Sequence, residues 1–244
     1  MEWTDQGVVL SLRGHGETSA IIEVLTSEHG RHAGVVRGGA SRKMVPVLQP
    51  GTQVSVTWRA RLEDHLGTFR VEPIRSRTAM LSDRAALAGM GAVCALVRFA
   101  FPERMHLPEL YAETLDLIDR IEANDNWATH YALWEMTLLD GLGYGLDLGR
   151  CAATGVVDDL IYVSPKSGNA VSRAAGEDYR NRLLPLPAFL RDGTTQARWA
   201  EILDGLKTTG YFLERRLAPA IGDRPVPEAR ARMIAALKRA EERG

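Results

Sequence analysis

The stretch Thr52 to Ala60, TQVSVTWRA, alternates apolar and polar side chains with a period of two. Val54, Val56 and Trp58 share one parity, while Ser55, Thr57, Arg59 and the following Arg61 share the other. Successive side chains of a β-strand point to opposite faces, so the segment predicts a strand with one side in a core and cations on the other. Four further β-rich runs lie near it: GVVLSLR (7–13), SAIIEVL (19–25), RHAGVVR (31–37) and GTFRVEPI (67–74), each bounded by Gly, Pro, Ser or charged residues. Five short antiparallel strands in about 75 residues suit a small Greek-key barrel of the OB type, with an SH3-like barrel as the near alternative. RGHGETS (13–19) reads as a hairpin turn, because its glycines are spaced G-x-G and lead into a strand. A phosphate-binding loop needs GxxxxGK followed by Ser or Thr at the start of a helix.

From Ser82 the period changes to that of helices. Ser82 predicts the N-cap of an Ala-rich helix that ends near Pro102, and Pro108 opens a second helix with Leu110, Thr114, Leu117, Ile118 and Ile121 on one stripe. Asn126 predicts the cap of a third, in which Trp127, Tyr131, Trp134 and Leu138 fall on one core face before GLGYG (141–145) ends it. Between Leu146 and about Arg180 the helical signal gives way to turn residues and one short β-like stretch, Leu160–Val163. Helical periodicity returns over 198–217 and over 227–242, the latter with Met233, Ile234 and Leu237 facing inward. The class expected is α+β: a barrel domain in residues 1–80, a helical domain in 81–145 and 181–244, and a loop-rich insert in 146–180.

Composition narrows the function classes. The 244 residues are 25% charged and 45% hydrophobic, enough for one large domain or two small ones. The start, MEWTDQGVV, is acidic and polar where a signal peptide is basic and then apolar, and no apolar run reaches membrane-spanning length, so a cytoplasmic address is expected. The formal net charge of −1 conceals an acidic middle: residues 1–80 carry ten Lys and Arg against eight Asp and Glu, 81–145 four against ten, and 146–244 sixteen against thirteen. Cys94 and Cys151 are too few for a disulfide framework. The six histidines include no HExxH, and nothing near His29 and His32 completes a nucleophile, base and orienting group. No catalytic turnover and no cofactor are expected.

One charge cluster stands out. Arg31, Arg37, Arg42 and Lys43 lie in thirteen residues without an acidic side chain, in and after the third strand, around the glycine pair of VVRGGASRKMVP (35–46). A barrel with cations on one strand face and a flexible basic loop has the equipment of a single-strand nucleic-acid binder, in which Lys and Arg track phosphates. A solvated charged surface is the plain alternative, since Trp58 belongs to the core by parity.

The run GVVLSLRGHGETSAIIEVLTSEHGRHAGVVRGGASRK (7–43) resembles the amino-terminal signature of the RecO family of bacterial recombination and repair proteins. LDGLGYGLDLGRCAATG (139–155) followed by IYVSPKSGNAVS (161–172) resembles that family's junction between its helical part and a zinc-finger-like insert, and GYFLERRL (210–217) its carboxyl-terminal helices. The resemblance implies an OB-fold domain, a helical domain and the insert. It also implies a non-catalytic mediator that binds single- and double-stranded DNA and anneals complementary strands. Such a mediator works in the RecF pathway with RecR and the carboxyl-terminal tail of the single-stranded-DNA-binding protein, helps load RecA at gaps, and is nucleoid-associated.

On that footing Arg31, Arg37, Arg42, Lys43, Arg59 and Arg61 are the DNA-binding candidates, and Arg215, Arg216, Arg230 and Arg232 edge the surface expected for the acidic protein tail. An RNA-binding OB module with a helical oligomerisation domain is the other reading of the same cations. Where many family members carry two CxxC pairs, this chain has Cys151-Ala-Ala-Thr154 and Ser172-Arg-Ala-Ala175, and no histidine lies between 146 and 180. One thiolate does not make the tetrahedral set of a structural zinc. Purified protein is therefore expected to hold well under one equivalent of zinc by elemental analysis, and a chelator should leave its thermal unfolding unchanged.

Overall fold

The computed structural model describes residues 1–62 and 65–242, so the last two residues of the domain expected to end at 244 lie outside it. The polypeptide divides into two compact units, residues 1–125 with 227–244, and residues 126–226. This division differs from the bounds expected at residues 80, 145 and 180, because packing groups two helices and the carboxyl-terminal helix with the barrel.

In the first unit, β1 (Glu2–His15), β2 (Ser19–Thr26), β3 (Gly30–Val36), β4 (Gln53–Arg59) and β5 (Gly67–Arg75) close a barrel in the order β1-β2-β3-β5-β4. Only the β3 and β5 pair is parallel. The long β1 pairs with β4 through its first half and with β2 through its second, and the register shifts between Val9 and Ser11 where the strand changes partner. The parity read from β4 holds: Val54, Val56 and Trp58 are buried in the core with Val9, Ile22, Val24, Leu48 and Phe69. β4 ends at Arg59, so Arg61 stands in the bend beyond it.

Helix α1 (Arg84–Ala100) is capped by Asp83, whose carboxylate accepts from the amides of Ala85 and Ala86 at 2.8 and 3.1 Å. Ser82, the expected cap, belongs instead to a 3₁₀ turn over Thr78–Ser82. Helix α2 (Pro108–Ala123) begins at its proline and buries the five residues of its stripe. Arg75 and the buried Arg77 bind it to the barrel: both pair with Asp119 and Glu122, and Arg77 Nε donates to the Gly51 carbonyl at 3.0 Å.

The second unit starts with α3 (Trp127–Gly141), whose Trp127, Tyr131, Trp134 and Leu138 are all buried. Asn126 stands at its N-cap in the left-handed region, and its side chain accepts from the Thr129 hydroxyl at 3.1 Å instead of from a helix amide. The insert holds a three-stranded sheet in which β6 (Leu160–Val163) lies between β7 (Ala170–Ser172) and β8 (Leu184–Pro185). The sheet thus runs past the bound expected at residue 180, because Leu184 and Pro185 supply its third strand.

Short helices α4 (Arg173–Gly176) and α5 (Ala188–Asp192) precede α6 (Trp199–Phe212), which joins β8 where the Thr208 hydroxyl donates to the Pro185 carbonyl at 2.6 Å. A π-helical turn over Leu213–Leu217 and the short α7 (Ala218–Ala220) follow. The carboxyl-terminal α8 (Glu228–Glu241) belongs to the first unit, packing along α1 with Met233 and Leu237 buried and Ile234 only partly so.

One end of the barrel carries an aromatic cluster. The Trp3 indole stacks on His29 at 4.1 Å and on Trp58 at 5.6 Å, and His32 packs edge-on to both tryptophans. Asp5 accepts from the Ser27 hydroxyl, from the amides of Gln6 and Glu28, and from His29 Nδ1 at 2.9 Å. Ser27 therefore bonds Asp5 and not His29, which makes the set a turn clamp without the relay order of a nucleophile and base.

Burial, and next the charge of Arg104, push the His32 imidazole down from 6.5 to about 4. His32 thus stays neutral in the fold at pH values where the unfolded chain takes up its proton, so the stability it contributes is present above pH 6.5 and is lost as the pH falls toward 4. The loss expected across that window is about 3 kcal/mol. Urea unfolding at stepped pH should show this slope in the wild type and most of it removed in His32→Phe.

Candidate nucleic-acid interface

Two halves of the barrel's outer surface have opposite characters. On the second half of β1 and on β2 the outward residues Val8, Leu10, Ile21 and Leu25 are apolar and buried. Helix α1 lies against this half: Arg98 pairs with Glu23 at 2.7 Å, and Cys94 Sγ approaches the Val9 carbonyl at 4.0 Å. Burial pushes the Cys94 thiol up to about 12, so it remains a protonated core side chain.

The other half is open. Its outward rows follow from the register: Glu2 opposite Arg59 opposite Thr68, Thr4 opposite Thr57 opposite Arg70, and Gln6 opposite Ser55 opposite Glu72. A groove of about 830 Å³ crosses the first two of these rows, lined among others by Glu2, Thr57, Arg59, Arg70, Arg37 and Met44.

The connection from β3 to β4 forms one edge of that groove and is anchored, in contrast to the flexible loop expected. Ala40 donates to the Thr18 carbonyl, Met44 and Val45 to the Ser41 carbonyl, and Leu48 to the Met44 carbonyl, which winds the segment into successive turns. Leu48 is fully buried and closes the barrel core. Gly39 serves close approach: a Cβ there would stand 2.8 Å from the Ala20 Cβ and 2.9 Å from the Val36 carbonyl oxygen.

The expected DNA-binding residues separate by environment. Arg37, Arg42, Lys43 and Arg61 are exposed and make no ion pair among the described residues. Arg59 pairs with Glu2 at 2.6 Å and Arg70 with Glu72 at 3.2 Å, in exposed bridges that solvent screens. Arg31 does not belong with them. Its guanidinium pairs with Glu23 at 2.6 Å and with Glu103 at 3.4 Å and donates to the Phe101 carbonyl, so its charge is spent inside the unit. Burial tends to raise the pKa of Glu23, but Arg98 and then Arg31 hold its carboxyl below the ordinary value. Sequence reading passed over Arg70, whose outward parity in GTFRVEPI was available from Phe69 and Val71.

The four arginines expected to meet a protein tail are equally divided. Arg215 is exposed, whereas Arg216 stacks 5.0 Å over the Phe212 ring and donates to the Lys166 carbonyl at 2.8 Å. Arg232 is exposed and pairs with Glu228 at 3.3 Å. Arg230 is buried, which removes it as a surface contact. Arg215 and Arg216 lie in the second unit, Arg230 and Arg232 in the first.

In the insert, the buried Cys151 Sγ accepts from the Ser172 amide at 3.3 Å and from the Ser172 hydroxyl at 3.5 Å. Burial pushes this thiol up, but bonds from the Ser172 and Thr154 side chains and the Ser172 and Ala153 amides outweigh it and bring the thiol down to about 6. Ser172 thus bonds directly to the sulfur from a position where a zinc ligand would stand. With Ala175 as the fourth residue, the set does not fit a tetrahedral zinc. Among the described residues, no three or more His, Cys, Asp or Glu side chains are grouped to hold a metal. No helix among them is long and apolar enough to cross a membrane.

Fold and groove define an OB-barrel protein with one cationic open face. The family descriptions "Recombination protein O N terminal" and "Recombination protein O C terminal" match residues 1–77 and 81–225. The DNA repair protein RecO of Ruegeria sp. is 59% identical over 240 residues, covering 98% of this chain and 99% of its own length. That of Cereibacter sphaeroides is 54% identical over 98% of this chain and all of its own, and that of Jannaschia sp. 52% identical over the whole of this chain and 99% of its own. The chain belongs to the RecO family, and its role lies in DNA repair.

The anchoring of the basic segment has a measurable consequence. Leu48→Ala should cost about 2 to 5 kcal/mol of stability, read from the urea midpoint. Amide exchange over residues 38–48 should quicken along with it.

Proposed function

We propose that the protein is a non-catalytic mediator of DNA repair and recombination that binds single- and double-stranded DNA along the open face of the barrel. It brings complementary strands together and, with RecR and the tail of the single-stranded-DNA-binding protein, helps RecA load at gaps in the RecF pathway. Association with the nucleoid follows from the DNA contact.

One observation carries the reading. The groove across β1, β4 and β5 is rimmed by Arg37, Arg59 and Arg70, with Arg42, Lys43 and Arg61 unpaired among the described residues on the segments that continue it, while α1 closes the opposite half. Phosphates attract such a rim without regard to sequence, since backbone contacts carry no base information. A polycation between two strands also lowers their mutual repulsion, which favours annealing. The clamp of Ser27 and His29 on Asp5, and the caged, neutral His32, support the absence of turnover. For the acidic protein tail, the exposed Arg215 of the second unit and the exposed Arg232 of the first are separate cationic candidates, each on its own unit, and the bound Arg216 orients the turn that carries Arg215.

Fluorescence anisotropy with single-stranded DNA tests this. If about three to five phosphates are neutralised, log affinity should fall against log salt with a slope of roughly −2 to −4, and Arg37→Ala, Arg42→Ala and Lys43→Ala together should flatten it by about 2. Annealing should weaken in parallel. A triple variant with wild-type slope and wild-type annealing would take these residues out of the DNA site. Tighter binding of RNA than of DNA of equal length would favour the RNA-binding module instead.

A further inference from the structure

The cationic groove does not end at Thr4. A second cleft shares that residue and continues along the same face, lined by Gln6, Gln53, Ser27, Ser55, Tyr111 and Leu115. Its character changes abruptly, for no Lys or Arg lines it. The one charged group in its wall, Asp5, is buried and already accepts from Ser27, Gln6, Glu28 and His29. A phosphate has nothing to pair with there. What the cleft offers is amide and hydroxyl groups able both to donate and to accept, beside the half-buried ring of Tyr111 in the first turn of α2.

We propose that this cleft takes an unpaired nucleobase of the strand whose phosphates lie on the cationic groove, with the Tyr111 ring as its stacking surface and Gln6, Gln53 and Ser55 meeting its polar edge. The inference rests on the nucleic-acid reading above and adds a contact to the base. Three observations support it. The run of β4 from Arg59 to Gln53 is roughly 20 Å, room for a few nucleotides from the cationic end to Tyr111. Trp58 and Phe69, the aromatic side chains of β4 and β5, belong to the barrel core and are 1% and 4% exposed, so although Phe69 borders the groove neither presents a free ring face to a base. Burial, and then the charge of Asp5, raise the pKa of the Tyr111 phenol, which keeps the ring uncharged beside a polyanion. Every base has a π-face, so the contact adds affinity with little sequence preference, and the amides accommodate different edges.

The test compares an ordinary single-stranded oligonucleotide with one of equal length whose central sugars carry no bases, which keeps the phosphates and removes the stacking partner. Against the ordinary strand, Tyr111→Ala should weaken binding about tenfold while the salt slope stays that of the wild type, since no phosphate contact is lost. Tyr111→Phe should retain most of the affinity. Against the abasic strand, wild type and Tyr111→Ala should bind alike.

A Tyr111→Ala protein that binds the ordinary strand as tightly as the wild type, or that loses as much affinity for the abasic strand, overturns the base site. The same holds for a loss with a flattened salt slope, which marks a general disturbance of the fold. The base site fails alone if the triple basic variant flattens the slope and Tyr111→Ala is silent. It fails together with the nucleic-acid reading if the wild type shows no salt-dependent binding to either strand.

Discussion

Helix α1 lies against one half of the barrel, packing on β1 and reaching β2 through Arg98 and Glu23, and that contact separates the covered half from the open one. Val8, Leu10, Ile21 and Leu25 would face water on an isolated barrel, and they are buried on the half of the barrel that α1 meets, where apolar area leaves water. The same contact consumes charge. Glu23 draws Arg98 and Arg31 into one ion-pair group, and Arg31 is thereby removed from solvent-facing work. With that half covered, the rows of β1, β4 and β5 remain open to a partner.

On those rows the cations are poised and not locked. Glu2 and Glu72 neutralise Arg59 and Arg70 across exposed bridges, and exposed bridges are worth little in water, so a phosphate can displace either carboxylate at small cost. The β3 to β4 connection acts in the opposite sense, as a fixed edge. Buried Leu48 and the tight seat of Gly39 hold its turns against the barrel, so Arg37, Arg42 and Lys43 extend from an ordered backbone. A preset edge loses less conformational entropy on binding than a loose loop does. Along the face, the change from cationic groove to neutral polar cleft matches the two parts of a nucleotide, a charged backbone and an uncharged base.

The insert reaches order by a different route from a metal knot. Cys151 receives amide and hydroxyl donors where a zinc ion would receive thiolates, and the small sheet around it gains its third strand from Leu184 and Pro185. Several directed hydrogen bonds on one buried sulfur hold the neighbouring turns at fixed spacing. Downstream, the π-helical turn over Leu213–Leu217 carries Arg215 and Arg216, and Arg216 is fixed between Phe212 and the Lys166 carbonyl.

Local periodicity determined much of this protein by itself. The alternation in TQVSVTWRA assigned Trp58 to the core and Arg59 to the surface, Pro108 opened α2, and the aromatic stripe of α3 was a core stripe, because side-chain direction follows from backbone period alone. The signature runs in residues 7–43 and 139–172 were enough for the family. What periodicity does not carry is the identity of the neighbour. Arg31 and Arg37 look alike in sequence, yet one faces Glu23 and Glu103 and the other a groove, and Arg230 is buried while Arg232 is exposed. Only the tertiary structure decided which outward face α1 would seal, that the glycine-rich connection would be held and not loose, that α8 would return to α1, and that Tyr111 would stand beside a barrel strand more than fifty residues earlier. Each of these is a contact between segments far apart in the chain, set by the complementarity of whole surfaces, on which the spacing of residues within one segment is silent.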